Sequence, residues 1–285
     1  MNNLPETTID SAPAPPISLI ALDIDGTVLT PTHQVAPSTR VAVTAARRHG
    51  SRLILASSRG PVALEAVQTE LGLGDEWFIA YQGALVARWV DDELEVLSST
   101  PLANAKARSV ESCAIAHGLA VGRYIGTRWR VPRKTAAIER EAAITGEKPI
   151  VSSPAEAAAD LPPQKVLVIA DGESQIGQLQ ELFASLPPGL SATFSKPDYL
   201  EITAAGVDKS HGLLPLLVHL GIPAARTAAI GDGHNDLGLF AAVNYPIAMG
   251  QAPVEVMAAA RWITSTNTED GVARALGHLG LVDAP

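Results

Sequence analysis

An apolar run that stops on two acids constrains what this chain can become. Residues 17–22 read as a buried strand. Asp23-Ile24-Asp25-Gly26-Thr27 follows without a break. Successive strand side chains alternate in direction, so a strand continued through this stretch points Asp23 and Asp25 the same way. Gly26 then supplies the backbone freedom for a sharp turn. Two carboxylates in one crevice repel each other unless a cation or a shared proton relieves them. A strand end bearing two solvated acids is the plainer alternative, and the rest of the chain must separate the two.

The following segments repeat the same grammar. Residues 38–49 form a predicted helix with Ser38 as N-cap and Gly50 as its stop. A second strand, 52–56, ends at Ser57-Ser58-Arg59-Gly60, and Pro61 opens a helix to Leu71. A third strand, 77–81, ends at Gln82-Gly83. Such alternation builds right-handed βαβ units on a parallel sheet. Hairpins then replace it, at 84–98 and 119–131, mixed with helices at 103–117, 134–145 and 173–185 and strands at 165–170 and 190–195. The opening grammar resumes with a strand at 199–203, the Gly206-Val207-Asp208-Lys209 turn and a helix from His211. A strand at 226–230 then ends at Gly231-Asp232-Gly233-His234-Asn235-Asp236. The predicted fold is α/β, a doubly wound parallel sheet interrupted by an inserted α+β domain. Residues 1–16 form a disordered tail without the charge pattern of a signal peptide. Residues 17–84 and 197–285 form a discontinuous core, and 85–196 the insertion.

Composition narrows the partners. A net charge of −9 argues against nucleic acid or an anionic membrane, both of which want a basic face. No apolar run approaches the ~20 residues of a membrane span. The single cysteine, Cys113, excludes an internal disulfide and fits a reducing compartment such as the cytoplasm.

Reactive residues recur at the carboxyl ends of the core strands: Asp23 and Asp25 at one, Ser57 at another, Asp232 at a third. Lys209 stands just before a core helix. Ligands of open parallel sheets bind in the crevice outside those ends. Three carboxylates, a hydroxyl and an ammonium suit Mg²⁺ together with a phosphate. Each residue also has a structural alternative. Ser57, Asn235 and Asp236 are good helix caps, and Lys209 could be a solvated helix-start lysine.

In these residues the chain resembles the haloacid-dehalogenase superfamily, and within it the Cof-type sugar-phosphate phosphatases with a large α/β (type IIB) cap. The resemblance rests on Asp23 to Thr27, on Ser57 with Arg59, on Lys209 after Gly206-Val207, and on Gly231 to Asp236. Ala248-Met249-Gly250 and Asn267-Thr268-Glu269-Asp270-Gly271-Val272 are similar to the family's closing segments. The resemblance implies a Mg²⁺-dependent hydrolysis of small phosphorylated metabolites, sugar or polyol phosphates. Asp23 would attack phosphorus to form an aspartyl-phosphate, and Asp25 would act as acid and then base. Asp23, Asp232 and the backbone carbonyl of Asp25 would hold the metal. Ser57, Lys209, Asn235 and the Ser58 amide would bind phosphoryl oxygens. Asp236 would support Lys209 or the metal shell, and Thr27 and Arg59 belong to the matching motifs as supporting residues.

The chain departs from the pattern at Ser58, where Gly is usual, and at Gln82 and Gln251, where Asn is usual. The insertion lies between the Ser57 and Lys209 motifs, the place of a cap that closes over substrate. Arg128-Trp129-Arg130-Val131 puts Arg128 and Arg130 on one strand face, either lining a substrate pocket or facing solvent. The expected partner is a small phosphorylated metabolite, with the chain a monomer or small homo-oligomer. Rival readings are a phosphomutase or phosphotransferase on the same scaffold, and a non-catalytic metabolite-binding relative. A metal-dependent glycosyltransferase would explain the paired acids but not the later motifs.

Overall fold

A computed structural model describes residues 16–282. The expected tail therefore lies outside the described residues, except for Pro16, whose carbonyl accepts a hydrogen bond from Arg226 Nε at 3.1 Å. The chain packs as two compact units. Of the described residues, one holds 16–55, Thr69–Glu76 and 217–282; the other holds Ala56–Gln68 and Trp77–Leu216.

The first unit is built on parallel strands. Leu19–Leu22 lies between Arg52–Ala56 and Thr227–Gly231, with Leu22 opposite both Leu55 and Ile230. Tyr245–Ala248 and then Trp262–Ile263 continue the sheet beyond Thr227–Gly231. Every residue of Leu19–Leu22 and of Thr227–Gly231 is buried, as expected for a parallel sheet covered on both faces. Helix Pro37–Arg48 buries Ala42, Val43 and Ala46 and packs against helix Gly271–His278. Its N-cap is Ala36 rather than Ser38. Pro37 has the fixed φ and missing N–H that suit the first helical position. Ser38 thus falls inside the first turn, and its hydroxyl donates to Asp270 Oδ1 at 2.5 Å.

The second unit contains an antiparallel meander, Phe78–Ala80, Leu85–Val90 and Glu93–Ser99. It also contains a six-stranded sheet in the order Leu190–Lys196, Tyr199–Ala204, Lys165–Ile169, Ala120–Ile125, Arg128–Val131, Pro149–Val151. The strand at Tyr199–Ala204, expected to resume the parallel grammar, instead pairs antiparallel with both of its neighbours. Its pattern shows why. Leu200 and Ile202 enter an apolar cluster with Val121, Val166 and Val168, and Tyr199, Glu201 and Thr203 alternate to the other face. Helices Asn104–Ala116 and Ile176–Ala184 cover the apolar side, contributing Ala107, Val110, Leu179 and Leu182. The opposite side carries Tyr124, Lys165 and Glu201. Among the described residues no helix is long and apolar enough to cross a membrane.

Candidate active site

The backbone ladder of the first unit runs one residue past Leu22. Asp23 N–H donates to the Ile230 carbonyl at 2.9 Å, which pins Asp23 beside the tip of Thr227–Gly231. The chain then turns. Thr27 and Leu29 N–H both donate to the Ile24 carbonyl, at 3.3 and 2.9 Å. The strand therefore ends before Asp25, and the alternation expected to align the two acids does not extend through it.

Asp23, Asp232 and Asp236 each place a carboxylate oxygen within 4.8 Å of the others, with Asp23 and Asp236 buried. Asp25 stands outside this group and is half-exposed, its carboxylate 4.0 Å from His33 Nδ1. Asp236 Oδ2 accepts the N–H groups of Asp232 and Gly233, both at 3.0 Å, so it shapes the turn that presents Asp232. Thr27 Oγ1 donates to Asp232 Oδ1 at 3.4 Å. Gly26 has φ +85°, and a Cβ there would stand 2.1 Å from Asp232 Oδ2. Asn235 is half-buried in the same turn, whereas His234 is exposed and 3.8 Å from Glu255. Three acids crowded this closely, offering only hard oxygen donors, fit a hard divalent cation.

Gln251 was noted in the sequence only as a departure. Its Nε2 donates to the Gly26 carbonyl at 2.6 Å and to Asp232 Oδ2 at 3.4 Å, and its Oε1 accepts Asn267 N–H at 3.1 Å. Asn267 Nδ2 in turn donates to the Leu29 carbonyl at 2.8 Å. The Gln251 amide thus ties the acidic turn to the closing segment.

The second unit holds the other expected residues. Ser57 is buried: its N–H donates to Ile79 O at 2.9 Å, its carbonyl accepts Gln82 N–H at 3.0 Å, and its Oγ accepts Arg59 N–H at 3.1 Å. Ser58 is half-buried, and its carbonyl accepts Lys165 Nζ at 2.9 Å. The neighbouring turn is left-handed at three consecutive residues, Tyr81 (φ +53°), Gln82 (+58°) and Gly83 (+97°). Asn tolerates that backbone better than Gln does, so Gln82 adopts it at some cost. A Cβ on Gly83 would lie 1.9 Å from the Asp208 carbonyl, so the turn abuts the start of helix Lys209–Leu220. Lys209 opens that helix and is fully buried, which removes the solvated-lysine alternative. Asp208 Oδ1 caps it, accepting His211 N–H at 3.0 Å.

A buried charge cluster here was not legible in the sequence. Lys165 pairs with Glu201 at 2.8 Å, and its Nζ lies 4.4 Å from the Tyr124 ring centre. Glu147 packs under Gly60, where a Cβ would be 2.4 Å from Glu147 Oε1. Burial first, and then the Glu141 and Glu201 charges, push the Glu147 carboxyl up to about 7, against the opposing pull of Lys165 and Arg59. The only sequence signal was a lysine opening an apolar strand. Arg128 and Arg130 both turn to Asp160, Arg128 at 2.9 Å, and Arg130 also reaches Ser152 Oγ at 2.7 Å.

A family described as haloacid dehalogenase-like hydrolase matches residues 20–276, and the chain belongs to that family. A putative phosphatase of Haemophilus influenzae is 27% identical, covering 88% of this chain and 94% of its own. The crystal structure of a haloacid dehalogenase-like hydrolase from Bacteroides thetaiotaomicron has a TM-score of 0.82 at 27% identity, covering 92% of this chain and 99% of that one. A subclass IIB sugar phosphatase shares the fold, with a TM-score of 0.80 at 24% identity over 93% of this chain and all of its own. The expectations of a mixed α/β fold and of an enzyme are borne out.

Proposed function

We propose that this chain is a phosphatase of small phosphorylated metabolites, sugar or polyol phosphates, acting through an aspartyl-phosphate. The observation that carries this reading is the separation of two acids two residues apart. Asp23, itself buried, joins the three-carboxylate group, and Asp25 stands outside it, half-exposed. Asp23 attacks phosphorus as its bond to the leaving oxygen breaks, and Asp25 gives that oxygen a proton. Asp25 then takes a proton from water as the water attacks the aspartyl-phosphate, which frees phosphate and restores Asp23. Mg²⁺, held by Asp23, Asp232 and the Asp25 carbonyl, would offset the charge of one anion approaching another.

Ser57, Lys209, Asn235 and the Ser58 amide bind phosphoryl oxygens, and the burial of Lys209 supports the assignment of that cation. Thr27 and Asp236 hold Asp232 in place, as their hydrogen bonds support. Residues 85–196 act as the cap and choose the leaving group. Arg128 and Arg130 are candidates for a second anionic group of the substrate, which would compete with Asp160 for them. The single cysteine supports a cytoplasmic location.

The test is phosphate release from p-nitrophenyl phosphate and a panel of sugar phosphates, wild type against Asp23→Asn. The variant should fold and lose at least about 10³-fold in kcat, as for other nucleophile removals. A variant that still turns over contradicts the assignment. Retention of the phosphoryl group with no free phosphate would identify a transferase instead.

A further inference from the structure

Both ends of the Ser58–Arg59 peptide unit are tied. Its carbonyl accepts Lys165 Nζ at 2.9 Å, and its N–H donates to Ser57 Oγ at 3.1 Å. Lys165 itself is anchored. It is 3% exposed, pairs with Glu201 at 2.8 Å, and is flanked by the rings of Tyr124 at 4.4 Å and Tyr81 at 5.6 Å. Register places Tyr124 opposite Lys165 on the same sheet face, away from the apolar cluster. On the other side of the turn, Gly60 backs onto Glu147 and the Tyr81 hydroxyl.

We propose that Lys165 is a positioning residue for phosphate recognition, acting through the Ser58–Arg59 peptide on the Ser57 hydroxyl. A hydroxyl has one hydrogen to donate and lone pairs to accept with. With Arg59 N–H occupying a lone pair of Ser57 Oγ, its own hydrogen is left for an incoming anion. A cation on the peptide carbonyl fixes that peptide and polarises its N–H, which strengthens the second bond in the chain. Without Lys165 the peptide is freer to rotate, and Ser57 loses the partner that sets its orientation. The proposal rests on the phosphatase reading, in which Ser57 binds phosphoryl oxygen.

The experiment is a double-mutant cycle on inorganic phosphate binding, measured by titration calorimetry, with kcat/KM on p-nitrophenyl phosphate alongside. Lys165→Met should weaken phosphate binding about tenfold, in keeping with loss of one hydrogen bond from a charged donor, and Lys165→Arg should recover most of it. In a Ser57→Ala background the Lys165→Met change should cost less than about twofold more, because its route to the anion is already gone. Glu201→Gln removes the ion pair but keeps the Lys165 bond to Ser58, and should bind phosphate within about twofold of wild type. Lys165→Met strands a buried carboxylate, so Lys165→Met/Glu201→Gln serves as the folded equivalent. Losses that multiply across the cycle, a Lys165→Met protein that binds like wild type, or a Glu201→Gln protein as impaired as Lys165→Met would each overturn the proposal. A wild-type protein that neither binds nor releases phosphate would overturn the phosphatase reading itself, and this proposal with it.

Discussion

Gly26 shows how much of the acidic group depends on one missing methyl. Its φ of +85° lies in the region that L-residues avoid, at a cost of about 1–2 kcal/mol for a non-glycine. Its bare Cα also lets Asp232 come within 2.1 Å of where a Cβ would be. Gly26→Ala must therefore push Asp232 out of the group it forms with Asp23 and Asp236. The Mg²⁺ concentration for half-maximal phosphate release should rise by at least about tenfold, as for other changes to the support of a metal ligand. An unchanged requirement would show that Asp232 is not held where this account needs it. Gly26 was legible in the sequence as a turn residue. Its contact with Asp232 was not, because the two are 206 positions apart and a single chain carries no signal of which distant turns meet.

At the scale of elements, the helix Ala136–Thr145 ends on Gly146 in the left-handed conformation (φ +73°) and delivers Glu147 beneath Gly60. Glu147 N–H donates to Thr145 Oγ1 at 3.3 Å, which helps set that exit. The groups acting on its carboxyl are Lys165, Glu141, Arg59 and Glu201, with desolvation outweighing the two cations. The folded protein therefore holds this proton up to about pH 7, while the unfolded chain releases it near 4.5. Between those values the native state binds more protons than the unfolded one, so stability falls as pH rises. The shift corresponds to on the order of 3 kcal/mol across the window. Glu147→Gln cannot ionise. Urea unfolding at pH 4.5 and pH 8 should show the wild type losing that much relative to the variant. Parallel pH profiles for the two proteins would mean that Glu147 does not titrate in this range. Strand direction was the element-level feature that local sequence misread. Tyr199–Ala204 resembled a returning core strand, but it alternates Leu200 and Ile202 against Glu201 and Thr203, is buried from Tyr199 to Thr203, and pairs antiparallel with its neighbours.

For the molecule as a whole, the parallel strands and their polar tips were readable because continuous apolar runs and turn residues are local signals. The charged side of the six-stranded sheet was not, because Lys165, Glu201 and Glu147 acquire meaning only from partners far along the chain. The central claim is that crowded carboxylates make this a metal-dependent phosphatase, and one measurement tests it most directly. Phosphate release is followed over a panel of phosphorylated metabolites, first with Mg²⁺, then with a chelator, then with Mg²⁺ restored. The account predicts release on some members of the panel that chelation abolishes and Mg²⁺ restores. Release that survives chelation would contradict it.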